Sequence, residues 1–330
     1  MDKLDTYDQN AMPQPYLAGR LRQVLSNGTV LAFIVLVIFW LATNALVPNF
    51  ATLGHTRFIL QTGSFLAIVA AGQTLVIMMG GIDLSVSGVL ALGAIVCAQM
   101  ISVNHFDPAV AIAVSLVVCS MIGLLNGFGV HVLRLPPLVM TLAVVTIIQG
   151  ALLVYTAGSP KSASVDSLEA LANGNTLGVP NAFLALVVVS VFCVWLLNFS
   201  RFGRYVYAIG VNAQAARLSG VNITSTTYLM YGLSGLLAGV AGLLLFGFTG
   251  NSYLGMGDPY QLGSIAAVVL GGTSILGGRG HYLGTIAGAL LLTILSSVLP
   301  VWNIPQAGRD VTQGLLIIVL LLVYARERAD

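Results

Sequence analysis

From Val30 to Tyr324 the chain is a succession of apolar runs, separated by short clusters of Gly, Pro and polar residues. A spanning helix takes about 20 mostly apolar residues, and in lipid only a helix or a closed barrel satisfies its own backbone. The runs are continuous rather than alternating, which selects helices. Charge points to the same medium. Only 7% of the 330 residues are Asp, Glu, Lys or Arg, against roughly 25% in an ordinary soluble domain. That scarcity excludes a soluble enzyme, a nucleic-acid binder and a disordered tail protein. Ten spans would use about 200 residues, leaving the rest for ends and connections. The expected fold class is all-α, a polytopic membrane protein of about ten transmembrane helices.

The ten runs fall at about 29–47, 58–79, 86–103, 108–126, 136–157, 181–199, 226–247, 260–276, 282–299 and 309–325. Two joins are short and glycine-rich, Gly80-Gly81 and Gly277-Gly278-Arg279-Gly280, so the helices beside them are expected to be broken or re-entrant. Orientation follows from Lys and Arg, which cytoplasmic loops collect. With the N-terminus inside, Lys3, Arg20, Arg22, Arg134, Arg201, Arg204, Arg217, Arg279, Arg326 and Arg328 fall in the cytoplasm. Only Arg57, Lys161 and Arg309 fall outside, so both termini are expected to be cytoplasmic.

This organisation divides the chain into a cytoplasmic N-terminal segment (1–28), a transmembrane domain (29–325) and a cytoplasmic tail (326–330). The first apolar run has no small-residue cleavage site close behind it and reads as a retained span. Within the transmembrane domain, 158–180 reads as a polar external loop. Residues 200–225 read as a basic internal loop containing a short amphipathic helix along the membrane surface.

Several chemistries find no residues to carry them. The chain has two lysines, Lys3 and Lys161, and neither sits in a G-x-x-x-x-G-K-[ST] loop that would cradle nucleotide phosphates. Cys97, Cys119 and Cys193 lie inside apolar runs without metal spacing and read as packing residues. His55, His105, His131 and His281 fall at the ends of predicted helices, as interfacial side chains. No metal site, catalytic set or cofactor bound by this chain is expected. Uphill transport on ATP would need a separate ATPase subunit, so the chain itself is not read as an enzyme.

Three segments carry information. The first is Gly80-Gly81-Ile82-Asp83-Leu84-Ser85-Val86-Ser87-Gly88, in which Asp83 is the only acidic residue between Asp8 and Asp107. A carboxylate at the bilayer centre costs about 2.5–3.5 kcal/mol on insertion scales. Either Asp83 and Ser85 sit at a helix break lining a pathway, or the glycines end one helix and Asp83 or Ser85 caps the next. The topology puts this turn at the cytoplasmic edge, which favours the cap. The second segment runs from Arg201 to Val221. Small residues there admit a partner while Arg204 and Arg217 anchor it, and Gly210 and Gly220 are expected to bracket a turn–helix–turn. An ordinary topology-setting basic loop has the same composition. The third segment is Ile265 to Thr285. Gly271, Gly272, Gly277, Gly278 and Gly280, like Gly80 and Gly81, permit close helix packing or a broken helix lining a path. Gln73, Thr74, Asn126, Thr141 and Gln149, with Asp83 and Ser85, are the polar residues that a translocation pathway could use.

Taken in order, these segments resemble the membrane permease of bacterial ABC importers for monosaccharides, of the ribose, xylose, arabinose and galactose type. The likeness runs from about Val30 to Tyr324. It takes in Asn49-Phe50, Gly72-Gln73-Thr74-Leu75-Val76, Gly123-Leu124-Leu125-Asn126-Gly127 and Arg134-Leu135-Pro136-Pro137-Leu138-Val139-Met140-Thr141-Leu142. One position departs: the family has Gly directly after Leu-Ser-Val, where this chain has Ser87 and then Gly88.

The resemblance implies a multi-pass protein of the bacterial inner membrane working by alternating access, paired with a second permease that is a copy or a relative. A periplasmic or surface-anchored binding protein would deliver the sugar. Cytoplasmic ABC ATPase subunits, carrying ATP and Mg, would dock on the loop after the sixth span. In that loop Gly203, Arg204, Gly210, Asn212, Ala215, Ala216, Arg217 and Gly220 would form the coupling element. Rival readings keep this architecture with a branched-chain amino acid, a nucleoside or a signalling sugar as cargo. The scarcity of charge along the spans disfavours charged or zwitterionic solutes. A proton-coupled secondary transporter using Asp83 as carrier is a rival from another class, and an intramembrane enzyme lacks a catalytic set.

Overall fold

A computed structural model describes residues 28–305, with residues 307, 308, 311, 312, 314, 315 and 318 beyond them. The N-terminal segment 1–28, apart from Gly28, and the tail 326–330 lie outside the described residues, as does most of the tenth run at 309–325. The first six helices are α1 (Gly28–Leu46), α2 (Leu53–Met78), α3 (Val86–Ser102), α4 (Pro108–His131), α5 (Pro137–Thr156) and the short α6 (Asp166–Asn173). They are followed by α7 (Asn181–Phe199), α8 (Arg201–Val211), α9 (Ala213–Leu218), α10 (Ile223–Thr249), α11 (Asp258–Leu270) and α12 (Tyr282–Val298). Nine of these helices coincide with the first nine predicted runs. Seven are long and apolar enough to cross a membrane, namely α1, α2, α4, α5, α7, α10 and α12 with its following 3-10 turn. The other two, α3 with 17 residues and α11 with 13, adjoin the glycine-rich breaks.

Helix starts follow the side chains available. Thr52 caps α2 by accepting from His55 N–H, Asp107 caps α4 ahead of Pro108, and Asn222 caps α10 by accepting from Ser225 N–H. Such oxygens satisfy donors that have no partner within the helix. Two ends differ from expectation. Helix α4 continues to His131 because Gly127 and Gly129 lie against Tyr228 and Met140 instead of breaking it. Helix α11 stops at Leu270 because Gly271 and then Gly272, at φ +82°, turn the chain.

Helices α2 and α10 form the centre, with about three quarters of their apolar windows buried (78% and 72%), while α1, α4, α5 and α7 turn apolar faces outward. Helix α10 packs on α4, α3 and α2, and α12 packs on α2, α11 and α1. The α4–α10 crossing is backbone to backbone. A Cβ at Gly123 would lie 2.1 Å from the Tyr231 carbonyl oxygen, and one at Gly235 would lie 2.3 Å from that of Cys119. Small residues permit this approach where lipid supplies no hydrophobic drive between helices. Cys97, Cys119 and Cys193 are all buried thiols.

Helix α2 has 26 residues, about 39 Å at the helical rise, and it links the two ends of the bundle. At its start Arg57 donates to Gly178 O (2.9 Å) and Gln61 donates to Ala172 O (2.7 Å). At its end Met78 O accepts from Gly278 N–H (2.9 Å). The 158–180 segment at the first end is more ordered than a plain polar loop. It holds α6 and strands β1 (Lys161–Ser162), β2 (Asn175–Thr176) and β3 (Val179–Pro180). Strands β2 and β3 pair with each other, and β1 pairs antiparallel with β4 (Asn251–Ser252), Lys161 opposite Ser252.

Candidate functional site

The glycine pair after α2 sends the chain back into the bundle. Gly80 adopts φ +81° and Gly81 abuts Val76, so the following residues rise alongside α10. Asp83 is fully buried. Its Oδ1 accepts from Ser85 N–H (2.9 Å) and from the Ser85 hydroxyl (2.6 Å), and its Oδ2 accepts from the Ser234 hydroxyl (2.8 Å). Ser234 is the twelfth residue of α10, about 16 Å along it at the helical rise. The turn therefore re-enters the bundle alongside the middle of α10. The reason is steric. A Cβ at Gly72 would lie 2.7 Å from Ser234 Cα, so α2 and α10 run close enough for one short turn to reach both. Ser85 occupies the N-cap position of α3 but makes no side-chain cap bond, because its hydroxyl is turned to Asp83.

Around this turn the structure gathers most of the polar residues singled out from the sequence. Asn126 on α4 donates to the Ser85 hydroxyl (2.7 Å), and Leu84 N–H donates to Thr141 Oγ1 on α5 (3.0 Å). Thr74 on α2 bonds Ala70 O and shares a 2.9 Å hydrogen bond with Thr285 on α12. Gln73 is buried with neither amide atom paired, and Asn126 Oδ1, Ser87 Oγ and the Tyr231 hydroxyl are likewise unpaired among the described residues. A buried polar group without a partner costs about 1–3 kcal/mol. Gln149 does not join this group, because it lies exposed on the outer face of α5. Sequence reasoning missed Ser234 and Tyr231, and named Thr285 only as the end of the third segment. Each sits among small or apolar neighbours on its own helix, with no spacing signal to mark the inward face.

The basic internal segment folds as two helices. Ser200 caps α8 by accepting from Gly203 N–H (3.1 Å). Gly210, expected to bracket a turn, instead lies inside α8. The break falls at Asn212, whose side chain accepts from Ala215 N–H (2.9 Å) and starts α9. Gly220 does end the second helix, at φ +81°, in the left-handed conformation that glycine adopts freely. Arg204 and Arg217 are exposed, and Ala216 is buried while Ala215 is exposed.

The family described as "Branched-chain amino acid transport system / permease component" matches residues 56–322. Ribose import permease protein RbsC of Escherichia coli K12 is 36% identical over 309 residues, covering 92% of this chain and 95% of that protein. The Bacillus subtilis ribose import permease is 34% identical over 299 residues, covering 90% and 92%. Fructose import permease protein FrcC of Rhizobium meliloti is 33% identical over 307 residues, covering 90% and 85%. No solved structure matches the chain. The chain belongs to this family of transport-system permeases, and its apolar helices make it a multi-pass protein of the inner membrane. Membership makes it a transport component and implies the partners of an ABC importer, an ATPase that hydrolyses ATP and a binding protein.

Proposed function

We propose that this chain is the membrane-spanning translocation subunit of an ATP-driven, binding-protein-dependent sugar importer. One observation carries the reading: identities of 33–36% to permeases named for ribose and fructose, over 85–95% of their lengths. The chain crosses the membrane ten times, the tenth at 309–325, with both termini in the cytoplasm. The charge at the two ends of the bundle supports this orientation. Arg201, Arg204, Arg217 and Arg279 gather where α8 and α9 meet the end of α2, and Arg134 follows His131, which bonds Thr224 at the start of α10. Arg57 and Lys161 lie at the other end with Asp107, Asp166, Glu169 and Asp258.

A second permease, a copy or a relative, completes the pathway. The ATPases, carrying ATP and Mg, seat on α8 and α9, with Gly203, Arg204, Asn212, Ala215, Ala216, Arg217 and Gly220 shaping that contact. The binding protein docks on the opposite face, and this chain binds no cofactor. The buried polar atoms of Gln73, Asn126 and Tyr231 are uncharged, which suits the hydroxyls of a sugar and offers no cation to the carboxylate of an amino acid. A signalling sugar is the second reading, favoured by 30% identity over 311 residues to the autoinducer 2 import permease LsrC of Enterobacter. Proton-coupled transport through Asp83 fits less well, because three neutral donors already occupy the carboxylate.

The test uses the chain in lipid, alone and then with candidate ATPase and binding protein loaded with ribose, fructose or autoinducer 2. ATP hydrolysis that appears only in the assembly and only with one ligand is the expected outcome, and it identifies the cargo. Uptake by the lone chain along a proton gradient, abolished by Asp83→Asn, would overturn the reading.

A further inference from the structure

The coupling segment does more than present a surface to the ATPases. Tyr207, Gly210 and Val211 are spaced i, i+3, i+4 and share one face of α8. That face lies against the two glycine-rich breaks at once. The Tyr207 hydroxyl donates to Gly280 O (3.0 Å). A Cβ at Gly210 would lie 2.0 Å from Met78 O and 2.3 Å from Gly278 N, the acceptor and donor atoms of the bond joining the end of α2 to the 277–280 loop. A Cβ at Gly277 would lie 3.1 Å from Gly210 Cα and 2.8 Å from Gly80 N. Gly80, Gly277 and Gly278 all take left-handed φ values, between +72° and +87°, which lets three stretches of backbone meet without side chains between them.

On one side of this junction the chain runs three residues from Gly80 to Asp83. On the other it runs directly to His281, whose Nδ1 accepts from Leu283 N–H and caps α12. We propose that Tyr207, Gly210 and Val211 are the transmission point of the coupling segment. They hold the end of α2 and the 277–280 loop against α8 as one rigid block, so that a displacement of α8 and α9 reaches the Asp83 turn and the start of α12 together. The inference rests on the importer reading and deepens it. Without the ATPases there is no displacement to transmit. Interdigitated backbone of this kind resists continuous deformation, so the block moves or it breaks.

The test is made in proteoliposomes holding the permease, its ATPase and the binding protein loaded with ribose, or with fructose or autoinducer 2 if that ligand stimulates the wild type. Gly210→Ala wedges the junction. It is expected to keep ATPase binding in a pull-down while sugar-stimulated hydrolysis and uptake fall about tenfold or more, the scale of a coupling energy between sites. Gly54→Ala, at a glycine with nothing within 4 Å of its Cβ, is expected to behave as wild type.

A deleted hydrogen bond reads the same junction without a wedge. Tyr207→Phe removes the hydroxyl that donates to Gly280 O and adds no atom. It is expected to keep ATPase binding while sugar-stimulated hydrolysis and uptake fall several-fold together. Full stimulation in Gly210→Ala or in Tyr207→Phe would overturn the inference. Should Gly210→Ala fail to reach the membrane, Tyr207→Phe decides alone. A wild-type chain that binds no ATPase, or answers to no ligand, overturns the importer reading instead.

Discussion

Asp83 is the residue on which the re-entrant turn depends. Its carboxylate takes three hydrogen bonds in a site closed to water, and each stranded donor there is worth about 1–3 kcal/mol. Asp83→Ala strands all three and is expected to lower the thermal unfolding temperature in detergent well below that of Asp83→Asn. The asparagine keeps one oxygen for Ser85 and turns its amide to Ser234, whose hydroxyl can rotate to accept. Equal destabilisation by the two variants would mean that the turn is held by packing and not by these bonds. Asp83 was legible in the sequence because a lone carboxylate in an apolar stretch demands partners. The partners themselves were harder to read. Ser85 is adjacent in the chain, but Ser234 stands 151 residues away amid the small residues of α10. Gln149 shows the converse: it is as polar as the others, yet it is exposed on α5 and takes no part in the cluster around Asp83.

Elements were legible as apolar runs, and their junctions were not, because glycine breaks a helix in one place and packs it in another. The α4–α10 crossing decides which. Gly123→Ala puts a methyl group against the Tyr231 carbonyl oxygen, and overpacking of this kind costs about 1–3 kcal/mol. Gly150→Ala on α5 meets nothing within 4 Å and gains up to about 1 kcal/mol from helix propensity. Thermal unfolding of the two variants should therefore move in opposite directions, and a shared direction would refute the crossing as described. Helix α12 carries a pH-dependent start. His281 Nδ1 must be unprotonated to accept from Leu283 N–H, and burial of the half-exposed ring holds its pKa below the usual 6.5. A group whose folded pKa is depressed contributes stability above its unfolded value, and that stability is lost as pH falls through the folded one. Amide exchange in the first turn of α12 should accelerate as pH drops below about 6.5, once corrected for intrinsic rates. His281→Asn, which keeps a capping oxygen, should abolish that dependence.

At the scale of the whole molecule the two ends of the bundle differ in charge and in structure. One end of the bundle joins the end of α2, the 277–280 loop and α8, and it carries Arg201, Arg204, Arg217 and Arg279. The other end joins the start of α2 to the 158–180 segment through Arg57 and Gly178. Positive charge at short loops sets which end stays in the cytoplasm, so under the proposed importer reading the arginine-rich end is the one expected to face the ATPases and the paired strands β1 and β4 the binding protein. Ten apolar runs and this bias together give the expected even count of ten crossings, whereas length alone marks seven helices, because α3 and α11 are too short to declare themselves that way. The same asymmetry makes the orientation measurable. Cys97, Cys119 and Cys193 are buried, so a membrane-impermeant maleimide should report only an introduced cysteine. In cells whose outer face is accessible, Ser159→Cys should label directly and Arg217→Cys only after the membrane is opened, since both positions are exposed on the protein. Labelling of both positions from one side would place the 158–180 segment and the coupling helices on the same face. That would mean an even number of crossings between them in place of the single crossing by α7, and the importer arrangement would fail with it.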